Sequence, residues 1–406
     1  MHAPPTNGHV NGNGVHINAD FAAEHTARGV SRLVNGVIVK GEGSYVTFDD
    51  GRKMLDFTTG IGVTGLGHCH PVVSKAAADQ CMNLVHGQAV EAAVKLARTA
   101  TGRQNIISMQ GGYHGRTFGA MALTRSKTIY SDRVSPLMPG VYVTPYPYWH
   151  QLGLPPNATE EQAVAQSIHQ LNLLFTQQTN PAETAAIIIE PVLGEGGYIA
   201  APASYLKALR EICDEHGILL IFDEVQCGFG RTGKYFASEY SGVRPDVMII
   251  AKGLANGFPL SGIGGTYAGN AIACAAAVAC TKVMRDENVL ENVNARSAEL
   301  FDGINVLRAN PKIAPYILDV RGKGLMVGVE FASPTNASWD ASVQSSAPKG
   351  MASRVAAKLL ERGVLLLTTS IFEVVRFIPP LNISQADMAK GIKAFQEAVE
   401  EVVREG

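Results

Sequence analysis

The sequence predicts an α/β fold: a large unit built on a mainly parallel sheet, joined to a smaller α+β unit made from both chain ends. Three observations carry this expectation. Ile218–Phe222 and Val247–Ala251 are short apolar runs bounded by polar and Gly-rich segments, the pattern of strands buried on both faces. Between Ala185 and Ala251 the chain alternates strand, helix, strand, crossover, strand, which implies a right-handed parallel layer. With 406 residues, the chain exceeds one ordinary core.

Taken in order, residues 1–20 are rich in Asn, Gly and Pro and read as a disordered tail. They hold neither a signal-peptide core nor the arginines of a presequence, so the expected location is cytoplasmic. Residues 21–60 open the small domain, with a meander from Gly36 to Phe57 turning at Glu42-Gly43 and Asp49-Asp50-Gly51. The large domain is expected over 61–283. Residues 72–85 and 89–101 both read as helices with no strand between them, so the unit delivering Ile106-Ile107 lacks its opening strand.

The helix from Tyr205 to His216 places Leu206, Leu209, Ile212 and Cys213 on one face, with Ser204 as its cap and Gly217 as its end. Residues 284–406 complete the small domain. There a long helix from Glu287 leads to a strand at Leu325–Phe331, a helix at Met351–Glu361, strands at Val364–Thr368 and Val374–Ile378, and a last helix from Gln385.

Composition narrows the function. Hydrophobic residues make up 46% and charged residues 17%, as in a soluble globular protein. A formal charge of −2 supplies no basic footing for nucleic acid or an anionic membrane, and no apolar run spans a bilayer. The six cysteines, Cys69, Cys81, Cys213, Cys227, Cys274 and Cys280, contain no Cys-x-x-Cys pair and read as reduced thiols.

Both apolar runs end on a charge, Asp223 and Lys252, at the strand ends where ligands of parallel sheets bind. A lysine held against apolar surroundings can lose its proton and attack carbonyls, and a nearby carboxylate can keep a heterocyclic nitrogen protonated. That is the minimum equipment for pyridoxal phosphate chemistry. A lone lysine after a strand is usually a solvated loop residue; the joint setting shifts the balance.

That setting resembles a known family. Residues 187–262 are similar to the signature region of the class III, or ω-, aminotransferases, and the likeness continues through GIGVTGLGHCHP (60–71), GGYHGRTFGAMALT (111–124), GGTYAGN (264–270), VRGKGLMVGVEF (320–331) and VVRFIPPL (374–381). Within the class the motifs lean toward 4-aminobutyrate aminotransferases. The resemblance implies a fold-type-I transferase working as a homodimer and moving the amino group of an ω-amino acid to 2-oxoglutarate.

By matching positions, Lys252 would bond to the cofactor aldehyde and Asp223 would pair with its ring nitrogen. Tyr113 and Val225 would cover the two ring faces, Gln226 would reach the ring hydroxyl, and Thr266 would reach the neighbouring subunit's phosphate. Arg376 would grip the α-carboxylate of the oxo-acid, Arg116 the distal carboxylate, and Glu195 would pair with Arg376 when no carboxylate arrives; Ile61 would line the substrate pocket. Two family segments are missing, one between Gln88 and Ala89 that carries the phosphate-binding turn, the other between Ile263 and Gly264. His86-Gly87-Gln88 then stands at the start of the next helix, where Gly87 and Gln88 offer backbone amides to a phosphate.

The omissions keep a shortened, catalytically impaired relative as an alternative, and the shared motifs keep ornithine or acetylornithine aminotransferase and decarboxylase activities open. Three motifs are set aside. Gly60 to Gly65 and Gly228 to Gly233 match Gly-x-Gly-x-x-Gly without opening an amphipathic helix. His68-Cys69-His70 has no partner pair to complete a metal shell, so no metal is expected.

Overall fold

Strands β1 (Ile38–Glu42), β2 (Tyr45–Phe48) and β3 (Lys53–Asp56) pair antiparallel as the turn residues require. Gly43 and Gly51 sit at the two turns with φ of 56° and 86°, a region that disfavours side chains. These positions come from a computed structural model, which describes residues 9–10, 16–17, 34, 36–80, 89–258, 260–261, 271–333 and 349–405. Helices α1 (Pro71–Gln80) and α2 (Val90–Thr101) follow, and Gly102 closes α2 with φ 68°.

The parallel sheet comes next, from β4 (Asn105–Met109), α3 (Phe118–Leu123), β5 (Val141–Thr144), α4 (Glu160–Gln177), β6 (Thr184–Ile189), α5 (Ala203–His216), β7 (Leu219–Asp223) and β8 (Val247–Ile249). Its strand order is β8-β7-β6-β4-β5, with every neighbouring pair parallel. All six residues of β6 are buried, which is why the sequence shows an apolar run and no alternation. Ile187 and Ile189 face Leu171 of α4 and Tyr205 and Leu209 of α5, while Ala186 and Ile188 face Ala93 and Val94 of α2. Each fully buried isoleucine contributes about 1.5–3 kcal/mol.

Two features of this sheet position the site. Going from β4 to β5 the chain moves one way, and from β6 to β7 the other, so the strand order reverses between β4 and β6. A crevice opens at such a reversal, at the carboxyl ends of the strands. Secondly, β8 is the sheet edge among the described residues, and α2 packs across it.

The capping expectation for α5 is corrected. The helix begins at Ala203 behind Pro202, and Ser204 makes no cap bond. Pro202 at the cap position has no side-chain acceptor for the first N–H groups of the helix, and Ser204 lies already inside it. Gly217 ends α5 as expected, with φ 63°.

Toward the C-terminus lie α6 (Ala271–Asp286), α7 (Val289–Ala309), β9 (Ile317–Lys323), β10 (Met326–Phe331), α8 (Met351–Glu361), β11 (Val364–Leu365), β12 (Leu367–Thr369), β13 (Val374–Phe377) and α9 (Gln385–Arg404). The expected single helix start at Glu287 is instead a break between two helices, with Asn288 left-handed at φ 50°. The division expected between residues 283 and 284 falls inside α6.

The one strand expected over 364–368 is two. β11 joins β3 in parallel and β12 joins β13, so the chain changes sheets at the buried Leu366. β9 had no sequence signal because most of it is half-exposed, and it forms a hairpin with β10 in the antiparallel sheet β9-β10-β13-β12. A core including Phe57, Leu300, Phe331, Met351, Phe377 and Phe395 holds the helices of this region on its strands. Among the described residues no helix is long and apolar enough to cross a membrane.

Candidate active site

Asp223 is the last residue of β7, and Lys252 follows β8 by three residues, so both charges emerge at the same end of adjacent parallel strands. Lys252 takes φ 46°, a turn away from the strand direction. The loop after β4 brings Tyr113, His114 and Arg116 to the same end, and the loop after β6 brings Glu190 and Glu195. Arg376 arrives from the other sheet, in the middle of β13.

Asp223 is buried and both its oxygens are engaged. Oδ2 meets His114 Nδ1 at 2.8 Å and Oδ1 accepts from the Val225 N–H at 3.1 Å. Burial pulls the His114 pKa down, but the hydrogen bond and charge of Asp223, with Glu190 beyond, outweigh it and raise the pKa overall. Glu190, also buried, accepts from the N–H groups of Tyr113 and Gly194 at 2.8 and 2.9 Å. Burial, with Asp223 adding to it and His114 opposing, pushes the Glu190 carboxyl up to about 7.

Lys252 is partly buried, and desolvation lowers its pKa, with Glu195, Asp223 and Glu190 pulling the other way. The amine therefore shares one electrostatic environment with these three carboxylates and with Arg376. Arg376 and Glu195 form a buried ion pair from Nη1 to Oε1. The Tyr130 hydroxyl donates to Glu195 Oε2 at 3.3 Å. Burial would raise the Glu195 carboxyl, but Arg376, then Lys252 and Lys127, hold it below the usual range.

Arg116 lies over the Tyr130 ring at 4.8 Å and donates from Nε to the Tyr113 hydroxyl at 3.2 Å. Tyr113 and Tyr130 meet edge to face with centroids 5.0 Å apart. Arg116 is exposed, at the mouth of this group.

A cavity of about 370 Å³ opens beside these residues, lined in part by Val63, Val90, His114, Arg116, Val225 and Lys252. Ile61 is partly buried and lies outside that lining; Val63, two residues on, stands in it. Gly87, Gln88 and Thr266 lie outside the described residues, as does the second point of omission, between Ile263 and Gly264. The described residues fit a pyridoxal phosphate ring. The cavity volume falls within the range of about 300–1,000 Å³ usual for small-molecule sites. Gln226 Oε1, His114 Nε2 and Arg376 Nε are buried polar atoms with no hydrogen-bond partner, the condition a bound group would relieve.

The motifs set aside serve structure. Asp56 accepts from the N–H groups of Thr58 and Thr59 and meets His68 Nε2 at 2.7 Å, holding the turn that contains Gly60. Arg231, within the second glycine motif, donates to the carbonyls of Pro379 and Leu325. Among the described residues no group of side chains could hold a metal ion.

Sequence reading missed His114, Glu190, Lys127 and Tyr130. For Glu190 a signal existed: it ends the apolar run Ile187–Ile189 just as Asp223 ends Ile218–Phe222.

Comparison with known proteins agrees with this geometry. The family described as Aminotransferase class-III matches residues 26–89 and 87–399, two pieces that meet where the first omission was read. The 5-aminovalerate aminotransferase DavT of Pseudomonas putida is 36% identical, over 92% of this chain and 96% of that protein. That alignment spans 428 residues, more than the 406 of this chain, so the relative carries residues with no counterpart here.

The 4-aminobutyrate aminotransferase GabT of Escherichia coli is also 36% identical, with 92% and 96% covered. The acetylornithine aminotransferase of Clostridium acetobutylicum is 34% identical, with 89% and 95% covered. Among solved structures, a PLP-bound amine transaminase from an uncultivated Pseudomonas species has TM-score 0.79 and 28% identity, covering 93% of this chain and 98% of that one.

Proposed function

Because the chain belongs to the class III aminotransferases and is thus a pyridoxal-phosphate-dependent transaminase, we propose that it moves the amino group of an ω-amino acid, of the 4-aminobutyrate or 5-aminovalerate type, to 2-oxoglutarate. One observation carries the substrate reading: the buried Arg376–Glu195 pair within electrostatic reach of Lys252. A guanidinium already paired with a movable carboxylate can serve two partners, one bringing a carboxylate and one not.

Bound pyridoxal phosphate supplies an aldehyde that takes up amines and a ring that draws off the electron pair left on the substrate carbon. Tyr113 and Val225 would hold that ring, and Gln226 would take its hydroxyl. Asp223 would keep a proton on the ring nitrogen, its carboxylate fixed in place by His114. Lys252 carries the proton to and from the substrate carbon; burial makes its amine easier to deprotonate than an ordinary lysine.

When an ω-amine donor enters, Glu195 stays on Arg376 and Arg116 takes the donor's distal carboxylate. When 2-oxoglutarate enters, its α-carboxylate displaces Glu195 from Arg376, where the unpartnered Nε offers a further donor. The unit over 61–283 carries the cofactor, and the domain built from both chain ends carries Arg376. A homodimer completes the site through Thr266, and activity should then fall on dilution; a constant rate from a proven monomer would remove that part.

The test is the absorbance of the purified protein with added pyridoxal phosphate. A lysine-bound cofactor band that is absent in Lys252→Ala, bleaches with 4-aminobutyrate or 5-aminovalerate and returns with 2-oxoglutarate is the expected result. A wild-type protein that shows no band at any cofactor concentration rejects the proposal. That outcome would favour a second reading, a shortened and impaired relative, which the two-piece family match supports.

A further inference from the structure

Glu190 stands one residue past β6, beside the crevice where the strand order reverses. It is 4% exposed, and no lysine or arginine forms an ion pair with it among the described residues. Its two oxygens are used separately: Oε1 accepts from the Tyr113 N–H at 2.8 Å, and Oε2 accepts from the Gly194 N–H at 2.9 Å. Tyr113 belongs to the loop after β4 and Gly194 to the loop after β6, segments that leave the sheet in opposite directions.

These loops also meet backbone to backbone. A methyl group on Gly196 would lie 2.7 Å from the Gly111 carbonyl oxygen. Beyond the two contact points, Tyr113 accepts from Arg116, and Glu195 pairs with Arg376.

We propose that Glu190 is a positioning residue for aminotransfer, its carboxylate clasping the two loops across the crevice so that Tyr113 and Glu195 hold fixed places relative to each other and to Lys252. The proposal rests on the function given above. An ionised carboxylate suits the task because each oxygen is an acceptor, whereas an amide would set N–H against one of the two N–H groups. A buried charge without a cation is costly, and the backbone donors offset that cost.

The ionisable groups around Glu190 are His114 from the β4 loop, Asp223 from β7, Lys252 after β8, Tyr146 after β5, and Cys227. With its carboxyl pushed up to about 7, the clasp is complete above that pH and loses one acceptor as pH falls through it.

The experiment compares wild type, Glu190→Gln and Glu190→Asp, each loaded with pyridoxal phosphate, using 4-aminobutyrate or 5-aminovalerate with 2-oxoglutarate. Glu190→Gln should fold and keep the lysine-bound cofactor band, yet lose about tenfold or more in kcat/KM for both half-reactions. The wild-type fall in kcat/KM below about pH 7 should be missing from its profile, and Glu190→Asp should restore that fall.

A Glu190→Gln enzyme with wild-type kcat/KM and an unchanged pH profile overturns the proposal while leaving the function intact. If Glu190→Gln does not fold, the Glu190→Asp profile decides. If neither folds, the carboxylate serves folding alone and the proposal fails. A wild-type protein without any aminotransfer sinks the functional reading, an outcome separate from these.

Discussion

Replacing Glu195 by Gln should split the two half-reactions apart. In the structure one oxygen of Glu195 takes a bond from Arg376 and the other takes one from Tyr130 at 3.3 Å, with Glu195 6% and Arg376 3% exposed. Gln keeps the shape and one acceptor but removes the charge. Hydrogen bonds to charged groups contribute about 1.5–3 kcal/mol, so stability should drop by about that amount.

On the proposed function, the oxo-acid has to expel Glu195 from Arg376 in the wild type. Without that competition, KM for 2-oxoglutarate should fall about ten- to a hundredfold. The amine donor, which leaves Arg376 without an anion in the variant, should lose kcat/KM by a similar factor. Linkage adds a sign. Because the folded Glu195 carboxyl lies below its ordinary 4.5, the pair's stabilisation is complete above about 4.5 and is lost as pH falls through the folded value. Gln should abolish that acid-side loss. Single-turnover absorbance for each half-reaction, with urea unfolding at several pH values, measures all of this. An equal fall in both half-reactions, or an unchanged KM for 2-oxoglutarate, would refute the reasoning.

Lys252→Ala should remove the lysine-bound cofactor band and lower the rate of aminotransfer by about 10²- to 10⁴-fold, read from the spectrum and from single turnovers. Asp223→Asn should leave the fold intact but cost about 10²-fold in kcat, since it removes the charge proposed to pair with the ring nitrogen and weakens the bond to His114; an unaltered kcat would contradict that role. Glu330→Ala should destabilise the protein by about 3–5 kcal/mol, measured by urea unfolding, with KM unchanged. Glu330 is fully buried, and it receives Tyr148 and Arg321 at 2.5 Å and meets His150 at 2.7 Å, tying the end of β5 to the antiparallel sheet. Burial would raise its carboxyl, but Arg321 and the bonds from His150 and Tyr148 outweigh that and hold it at about 2, so this stability is present above about 4.5 and is lost as pH falls toward 2.

The elements most legible in the sequence are those with a single local cause. Ile218–Phe222 reads as a strand because both of its faces are buried, and Met351–Glu361 reads as a helix because Met351, Val355 and Leu359 fall on one face. β9 was illegible because its residues are half-exposed and it is held by pairing with β10. The change of sheets at Leu366 was hidden for a similar reason, since an apolar run says that residues are buried and not which strand they join.

The sequence by itself determined the chemistry available: a lysine and a carboxylate ending two buried strands, and arginines suited to acids, all fixed by residue type and spacing along the chain. Tertiary structure decided which of them meet. His114 reaches Asp223 across 109 residues, and Arg376 reaches Glu195 across 181. Only the reversal of strand order between β4 and β6 sets Glu190 between two loops. Short-range pattern reports on burial and backbone geometry, whereas a contact between distant residues depends on the path of the whole chain.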